Sequence, residues 1–145
     1  MATERRADVT WTGDLMSGSG TIDAVGSGAF GPLDVSWPAR SEEASGGTTS
    51  PEELIAAAHA SCYSMALSHG LAQARHAPER VQTSARVTFV PGTGITKIAL
   101  AVRATVPGLD EAGFREAAEA AKAGCPVSQA LAAVPEITLD AQLEG

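Results

Sequence analysis

Two cysteines, Cys62 and Cys125, are the residues of this chain with the least ordinary chemistry. In a reducing compartment, a cysteine pair is more often reactive or metal-binding than a structural disulfide. The opposing interpretation is a pair of inert thiols, because free cysteine is often simply a core residue. Only the thiolate is a good nucleophile, so the chemical interpretation requires a group that lowers a thiol pKa.

Cys62 lies near the middle of a predicted long helix, residues 50–74. Ser50 suits the N-cap, Pro51 suits the first helical position, and Glu53 stands where a capping box requires it. The helix dipole acts in the first and last turns, so it lowers the pKa of a mid-helix thiol very little. A cation must therefore come from elsewhere.

Two residues could supply that cation: Arg40, just after a predicted strand, and His59, one turn before Cys62. Glu52 is a first-turn carboxylate whose ordinary role stabilises the helix start by ~0.3–1 kcal/mol. Ten residues separate Glu52 from Cys62, which is about 15 Å along one helix. If both serve one site, the helix must pack antiparallel against a copy of itself.

Cys125 stands at the N-cap or N′ position of a predicted short helix, between Gly124 and Pro126. Backbone N–H groups at such a position favour a thiolate. The segment GCPVS is equally sensible as a turn with no chemistry.

Histidines offer two further alternatives. His59 and His69 flank Cys62 on its predicted face, and Cys125 could join them at a zinc ion. These residues lack the close ligand spacing that structural zinc sites show. A Cys62–His59 nucleophile is formally open, although the sequence shows neither an oxyanion-hole loop nor a third orienting residue.

The hydrophobic patterning predicts an α+β fold, mostly antiparallel, in the order βββ-α-ββ-αα-β. Gly70 and residues 75–78 are expected to close the long helix, and residues 41–49 form a polar loop before it. The predicted elements are strands 8–12, 20–24 and 33–37, helix 50–74, strands 81–90 and 95–106, a helix from the N-cap Asp110 to Ala123, helix 126–132 and strand 136–143.

Length and composition predict one domain over residues 1–145, of 44% hydrophobic and 19% charged residues. Only 4% of residues are aromatic, which suits a core completed by oligomerisation. The net charge of −7 and the lack of any basic run argue against a nucleic-acid or anionic-membrane partner. No apolar stretch suggests a signal peptide or a membrane helix, so we expect a cytoplasmic protein.

The chain closely resembles the osmotically inducible protein C branch of the OsmC/Ohr family. The similarity covers essentially the whole chain, and its two cysteine motifs lie about 60 residues apart. It is carried by the stretches TTSPEELIAAAHASCYSMALSH, AKAGCPVSQAL and EITLDAQL. The resemblance implies an intertwined homodimer, with antiparallel sheets wrapped around long central helices and active sites at the subunit interface. It also implies a thiol-dependent peroxidase that reduces organic hydroperoxides, and hydrogen peroxide less well.

The resemblance implies a role for each of four residues. Cys62 matches the peroxidatic cysteine, and Cys125 matches the resolving one. Arg40, in WPAR, matches the catalytic arginine, and Glu52 matches the carboxylate that orients it. Cys62 would form a sulfenic acid, Cys125 would condense with it to a disulfide, and an external dithiol would reduce that disulfide.

The resemblance implies no bound cofactor and no metal, and the Ohr type favours lipoyl reductants. The loop after Arg40 is longer and more glycine-rich than is usual in the family, which bears on the position of that arginine. Ser50 replaces a common Asn, and both residues cap helices well. The alternative function is a non-enzymatic ligand-binding or stress protein on the same fold, with both cysteines merely retained.

Overall fold

The computed structural model describes residues 1–144 and has the element order βββ-αα-ββ-αα-β. The predicted α+β class is confirmed, with one helix more than the sequence indicated. The chain falls into two compact units, Met1–Leu54 and a second unit that begins at Ile55. The single domain over residues 1–145 stays a prediction.

The first unit contains a three-stranded antiparallel sheet in the order β1-β2-β3. Its strands are β1 (Ala7–Thr12), β2 (Ser19–Val25) and β3 (Leu33–Val35). Strand β1 is exposed along its whole length. Gly20 in the central strand leaves room for side chains of both outer strands, since a Cβ there would lie 2.6 Å from the Trp11 ring and 2.9 Å from Val35.

A short helix, α1 (Trp37–Ser41), follows β3. The prediction that the third strand continues to Trp37 is therefore wrong. The Ser36 hydroxyl accepts a hydrogen bond from the Ala39 N–H at 3.2 Å, as an N-cap does. Pro38 lies in the first turn, where its missing N–H costs nothing. These two residues begin a helix and place Arg40 in its last turn.

The long helix α2 (Pro51–Gln73) begins as predicted. The Glu53 N–H donates to the Ser50 hydroxyl at 3.2 Å, which confirms the cap. The Glu53 carboxylate accepts instead from the Thr49 hydroxyl at 2.8 Å, so only half of the capping box forms. The boundary between the two units falls after the first turn of this helix.

Gly70 does not close α2, which continues to Gln73. The helix ends where Arg75 adopts a positive φ of 65° and the His76 N–H donates to the Leu71 carbonyl at 2.8 Å. This is a Schellman-type end with arginine where glycine is usual. A glycine inside a helix costs only about 1 kcal/mol, which burial of Leu71 on the same turn offsets.

The second unit contains a sheet in the order β4-β5-β6. Strand β4 (Arg80–Val90) pairs antiparallel with β5 (Gly94–Thr105), and β6 (Glu136–Leu143) pairs parallel with β5. Helices α3 (Glu111–Gly124) and α4 (Pro126–Ala130) form the connection that a parallel pair requires. The Asp110 side chain accepts from the Gly113 N–H at 2.8 Å, so the predicted N-cap is confirmed.

The core of the second unit lies between β5 and the helices. From Ile98 to Ala104, every second residue of β5 is buried, and these side chains meet those of α2 and α3. The largest fully buried aliphatic and aromatic residues are Tyr63, Leu67, Leu71, Ile98, Leu100, Val102 and Phe114. This packing fixes the rotation of α2 and hence the direction of Cys62. Across residues 1–144, no helix has both the length and the apolar character that crossing a bilayer requires.

Candidate active site

Cys62 lies in the middle of α2 as a half-buried free thiol. It packs against the core of the second unit, whose buried Tyr63 follows it directly in the helix. The Tyr63 hydroxyl donates to the Ala118 carbonyl at 2.9 Å and so ties this turn of α2 to α3. The thiol is therefore held at one place beside the α3–α4 connection.

Cys125 forms that connection and is fully buried. Its backbone N–H donates to the Ala121 carbonyl at 2.9 Å and caps the end of α3. The same residue occupies the N-cap of α4, with Pro126 after it, as the sequence predicts. The first backbone N–H groups of α4, those of Val127 and Ser128, donate to its sulfur.

The two thiols are in hydrogen-bond contact with each other and are not disulfide-bonded. Burial raises the pKa of Cys62; the Val127 N–H acts against this, while the Cys125 thiol raises it further. Burial also acts to raise the pKa of Cys125. Hydrogen bonds from Ser128, Cys62 and Val127 outweigh burial and leave the pKa of Cys125 lowered.

His59 lies one turn before Cys62 and is fully buried. Its Nε2 lies 2.7 Å from the hydroxyl of Ser128, which is 8% exposed. Burial lowers the pKa of His59, so its imidazole is neutral near pH 7 and does not provide the cation that Cys62 requires. His69 is exposed and lies 3.4 Å from the Gln73 amide.

Arg40 and Glu52 form an ion pair within the first unit. The Arg40 Nε donates to the Glu52 Oε1 at 2.9 Å, and the two side chains are 33% and 8% exposed. Arg40 comes from the last turn of α1 and Glu52 from the first turn of α2. The second carboxylate oxygen of Glu52 is buried with no hydrogen-bond partner among the described residues. The pairing is thus observed, and the catalytic roles of the two residues stay predictions.

The structure brings the four predicted residues together as two pairs, one in each unit. It adds Ser128, which the sequence reasoning did not single out. The available signal was its spacing, three residues after a cysteine at a helix start, where side chains turn back towards the cap. Within residues 1–144, no three His, Cys, Asp or Glu side chains are grouped as metal ligands would be.

Comparisons with known proteins show which family the chain resembles. The sequence model described as OsmC-like protein matches residues 44–140. Peroxiredoxin OsmC of Escherichia coli strain K12 is 44% identical over 147 aligned positions, which cover 99% of each chain. The peroxiredoxin OsmC of Shigella flexneri matches equally well.

Solved structures share the fold at lower identity. The organic hydroperoxide resistance protein OsmC of Legionella pneumophila superposes with a TM-score of 0.66 at 22% identity, over 97% of both chains. OhrB of Bacillus subtilis superposes with a TM-score of 0.60 at 23% identity, over 96% of this chain and 98% of its own. Family model, full-length relatives and fold all agree, and the chain belongs to the OsmC-like protein family.

Proposed function

We propose that this chain is a cysteine-based peroxidase that reduces organic hydroperoxides, and hydrogen peroxide less well, to alcohols or water. Its 44% sequence identity with two proteins named peroxiredoxin OsmC, over 99% of this chain, supports the peroxidase activity. The observation that carries the mechanism is the hydrogen-bond contact between the free thiols of Cys62 and Cys125. Two reduced thiols in contact form a pair ready for reversible disulfide chemistry.

The reaction begins at Cys62. Its thiolate attacks the O–O bond of the hydroperoxide and forms a sulfenic acid, and the departing alkoxide takes a proton to become the alcohol. Cys125 then attacks the Cys62 sulfur, expels the hydroxyl group as water and completes the disulfide. An external dithiol reduces this disulfide by thiol–disulfide exchange, so no bound cofactor is required. A lipoyl-type dithiol is the reductant to test first.

Arg40 and Glu52 are proposed to activate the first step. A guanidinium beside Cys62 stabilises the thiolate and the negative charge that develops on the departing oxygen. Glu52 holds that guanidinium through the charge-assisted hydrogen bond at 2.9 Å. The carboxylate fixes the direction of the guanidinium because it is itself only 8% exposed.

A homodimer is proposed from the geometry of α2. Glu52 and Cys62 lie ten residues apart on one helix, about 15 Å along its axis, so Glu52 cannot touch the thiol of its own helix. Antiparallel packing of two α2 helices brings Glu52 of one chain towards Cys62 of the other. The exposed residues Ala57, Ala58 and Met65 give α2 an apolar surface for such packing, and Met65 is 69% exposed.

An apolar groove supports organic hydroperoxides as substrates. It has a volume of about 730 Å³ and runs between α2 and α3. Ala66, one turn after Cys62, lies on one side, and Gly124 and Pro126, which flank Cys125, lie on the other. A groove of this kind can hold the hydrocarbon part of a substrate beside the thiols. The proposed compartment is the cytoplasm, where dithiol reductants keep cysteines reduced.

The experiment that tests the function measures consumption of cumene hydroperoxide by reduced protein, with dihydrolipoamide as electron donor. We expect turnover by the wild type and none by Cys62→Ser, because the variant lacks the attacking sulfur. Cys125→Ser should consume about one equivalent and stall, since its sulfenic acid has no resolving partner. Circular dichroism of each variant controls for folding.

Retained turnover in Cys62→Ser would contradict the assignment of the attacking sulfur. A folded wild type that consumes no peroxide with several dithiols would contradict the peroxidase itself. The function would then be ligand binding, for which the groove of about 730 Å³ is the first place to search.

A further inference from the structure

The buried pair of His59 and Ser128 has no part in the two-thiol reaction described above. Both residues border the thiols, because His59 lies one turn before Cys62 and Ser128 lies three residues after Cys125. The Nε2–Oγ distance is 2.7 Å, and the two residues are 0% and 8% exposed. A polar pair buried this deeply costs free energy unless its groups are hydrogen-bonded.

The hydrogens of this pair can be placed from the contacts. The Ser128 hydroxyl donates to the Cys125 sulfur, so its single proton is not available to His59. His59 must then donate its Nε2–H to the Ser128 oxygen. The neutral imidazole has only that proton, which leaves Nδ1 as an unprotonated acceptor. Nδ1 is buried with no partner among the described residues, and a bare acceptor there costs less than a bare N–H donor.

We propose that His59 and Ser128 form a hydrogen-bond relay, from Nε2–H to Oγ–H to Cys125 Sγ, that fixes the Cys125 sulfur in the direction of Cys62. They are positioning residues for the resolving step, and this inference rests on the proposed function. The backbone N–H groups of Val127 and Ser128 donate to the same sulfur. Each of these hydrogen bonds stabilises the thiolate form of Cys125.

The relay assists the step in which the disulfide forms. The Cys125 thiolate attacks the Cys62 sulfur of the sulfenic acid, and a sulfur–sulfur bond forms as the sulfur–oxygen bond breaks. The departing hydroxide takes a proton from water. Cys62 is reduced from the sulfenic to the disulfide state while Cys125 is oxidised to it. His59 and Ser128 keep their own protons throughout.

The first test uses no peroxide. Thiolate absorbance at 240 nm is titrated in reduced Cys62→Ser protein, with and without Ser128→Ala. We expect Ser128→Ala to raise the pKa of Cys125 towards the value of an ordinary thiol. Tyr63 does not interfere, because it is the single tyrosine and burial raises its pKa far above the thiol range. Ser64→Ala is the matched control, since it removes a hydroxyl that lies 2.7 Å from that of Thr83.

The second test follows one turnover. Protein with both cysteines is mixed with one equivalent of cumene hydroperoxide, and the sulfenic acid is trapped with dimedone at intervals. We expect Ser128→Ala to form the sulfenic acid no more slowly than the wild type, because a less acidic Cys125 raises the pKa of Cys62 less. The variant should convert the sulfenic acid to the disulfide about tenfold more slowly, the effect of losing one hydrogen bond to an anion. His59→Leu should behave alike, and His59→Gln should restore the rate, because its amide can donate from nearly the same place.

A third measurement needs no variant in the relay. Long-range ¹H–¹⁵N NMR of the reduced wild type should show His59 as the neutral Nε2–H tautomer. A protonated ring or the Nδ1–H tautomer would overturn the relay, as would equal titrations and equal disulfide rates for Ser128→Ala and Ser64→Ala. If no sulfenic acid forms at all, the proposed function fails, while the titration and the tautomer still decide the relay.

Discussion

Cys62 and Cys125 are in contact, yet their surroundings act on them in opposite directions. Burial and the neighbouring thiol raise the pKa of Cys62, which lies in the middle of α2. Hydrogen bonds from the start of α4 lower the pKa of Cys125 against its burial. The proposed attacking sulfur, that of Cys62, is therefore the one that residues 55–144 leave less acidic. With the roles proposed above, the second unit makes the resolving thiol more acidic, and activation of Cys62 is expected to depend on a cation from elsewhere.

Replacement of Arg40 is the strongest test of that difference. We expect Arg40→Met to slow sulfenic acid formation on Cys62 by about 10²-fold at pH 7, because the charge beside the thiolate and the departing oxygen is lost. Stopped-flow mixing with cumene hydroperoxide measures this rate. The rate follows the thiolate fraction, and without the cation the pKa of Cys62 stays raised. The loss should therefore be greatest at low pH and partly recovered as the pH rises.

Arg115→Met is the matched control for Arg40→Met. It removes an arginine whose Nε also contacts a glutamate Oε1, that of Glu111 at 3.3 Å, on the surface of α3. Its rate should equal that of the wild type. An unchanged rate in Arg40→Met would show that Cys62 is activated without this arginine, and the contrast between the two thiols would then need another cause.

Replacement of Glu52 should have a smaller effect. Glu52→Gln keeps the shape and one acceptor oxygen but removes the charge that holds Arg40 at 2.9 Å. We expect the same rate to fall by about tenfold, since charge-assisted hydrogen bonds are about twice as strong as neutral ones. Combined with Arg40→Met, the second change should add little, because the two residues act as one unit. Fully additive losses in this double-mutant cycle would contradict an orienting role.

The fold was predictable where the sequence carries local signals. The cap at Ser50 and the cap at Asp110 give two helix starts correctly, because capping depends on residues three positions apart. Helix α1 was missed although Ser36 and Pro38 are start signals, since a five-residue helix has no periodic pattern to support them. The parallel pairing of β6 with β5 depends on the whole chain between them and has no local signal.

The site was predictable to a different extent. The four residues taken from the family resemblance form two observed pairs, Arg40 with Glu52 and Cys62 with Cys125. The contact between His59 and Ser128 spans 69 residues of sequence, so no spacing could reveal it. Burial also decides that His59 is neutral, and burial of a single side chain cannot be read from its neighbours in the chain.

The smallest expected effect concerns Gly124, the last residue of α3, directly before Cys125. If the resolving thiol had to swing towards Cys62, a flexible residue here would be needed. The two thiols already share a hydrogen bond that shifts the pKa of each, so we expect no such movement. A Cβ at Gly124 meets nothing within 4 Å, and its φ is not positive. Gly124→Ala should therefore stabilise the protein by roughly 0.4–1 kcal/mol in urea unfolding and leave the disulfide rate unchanged. A stabilised variant with slower disulfide formation would show that Cys125 moves during the reaction. That result would contradict the view that the two thiols react from the positions seen in the structure.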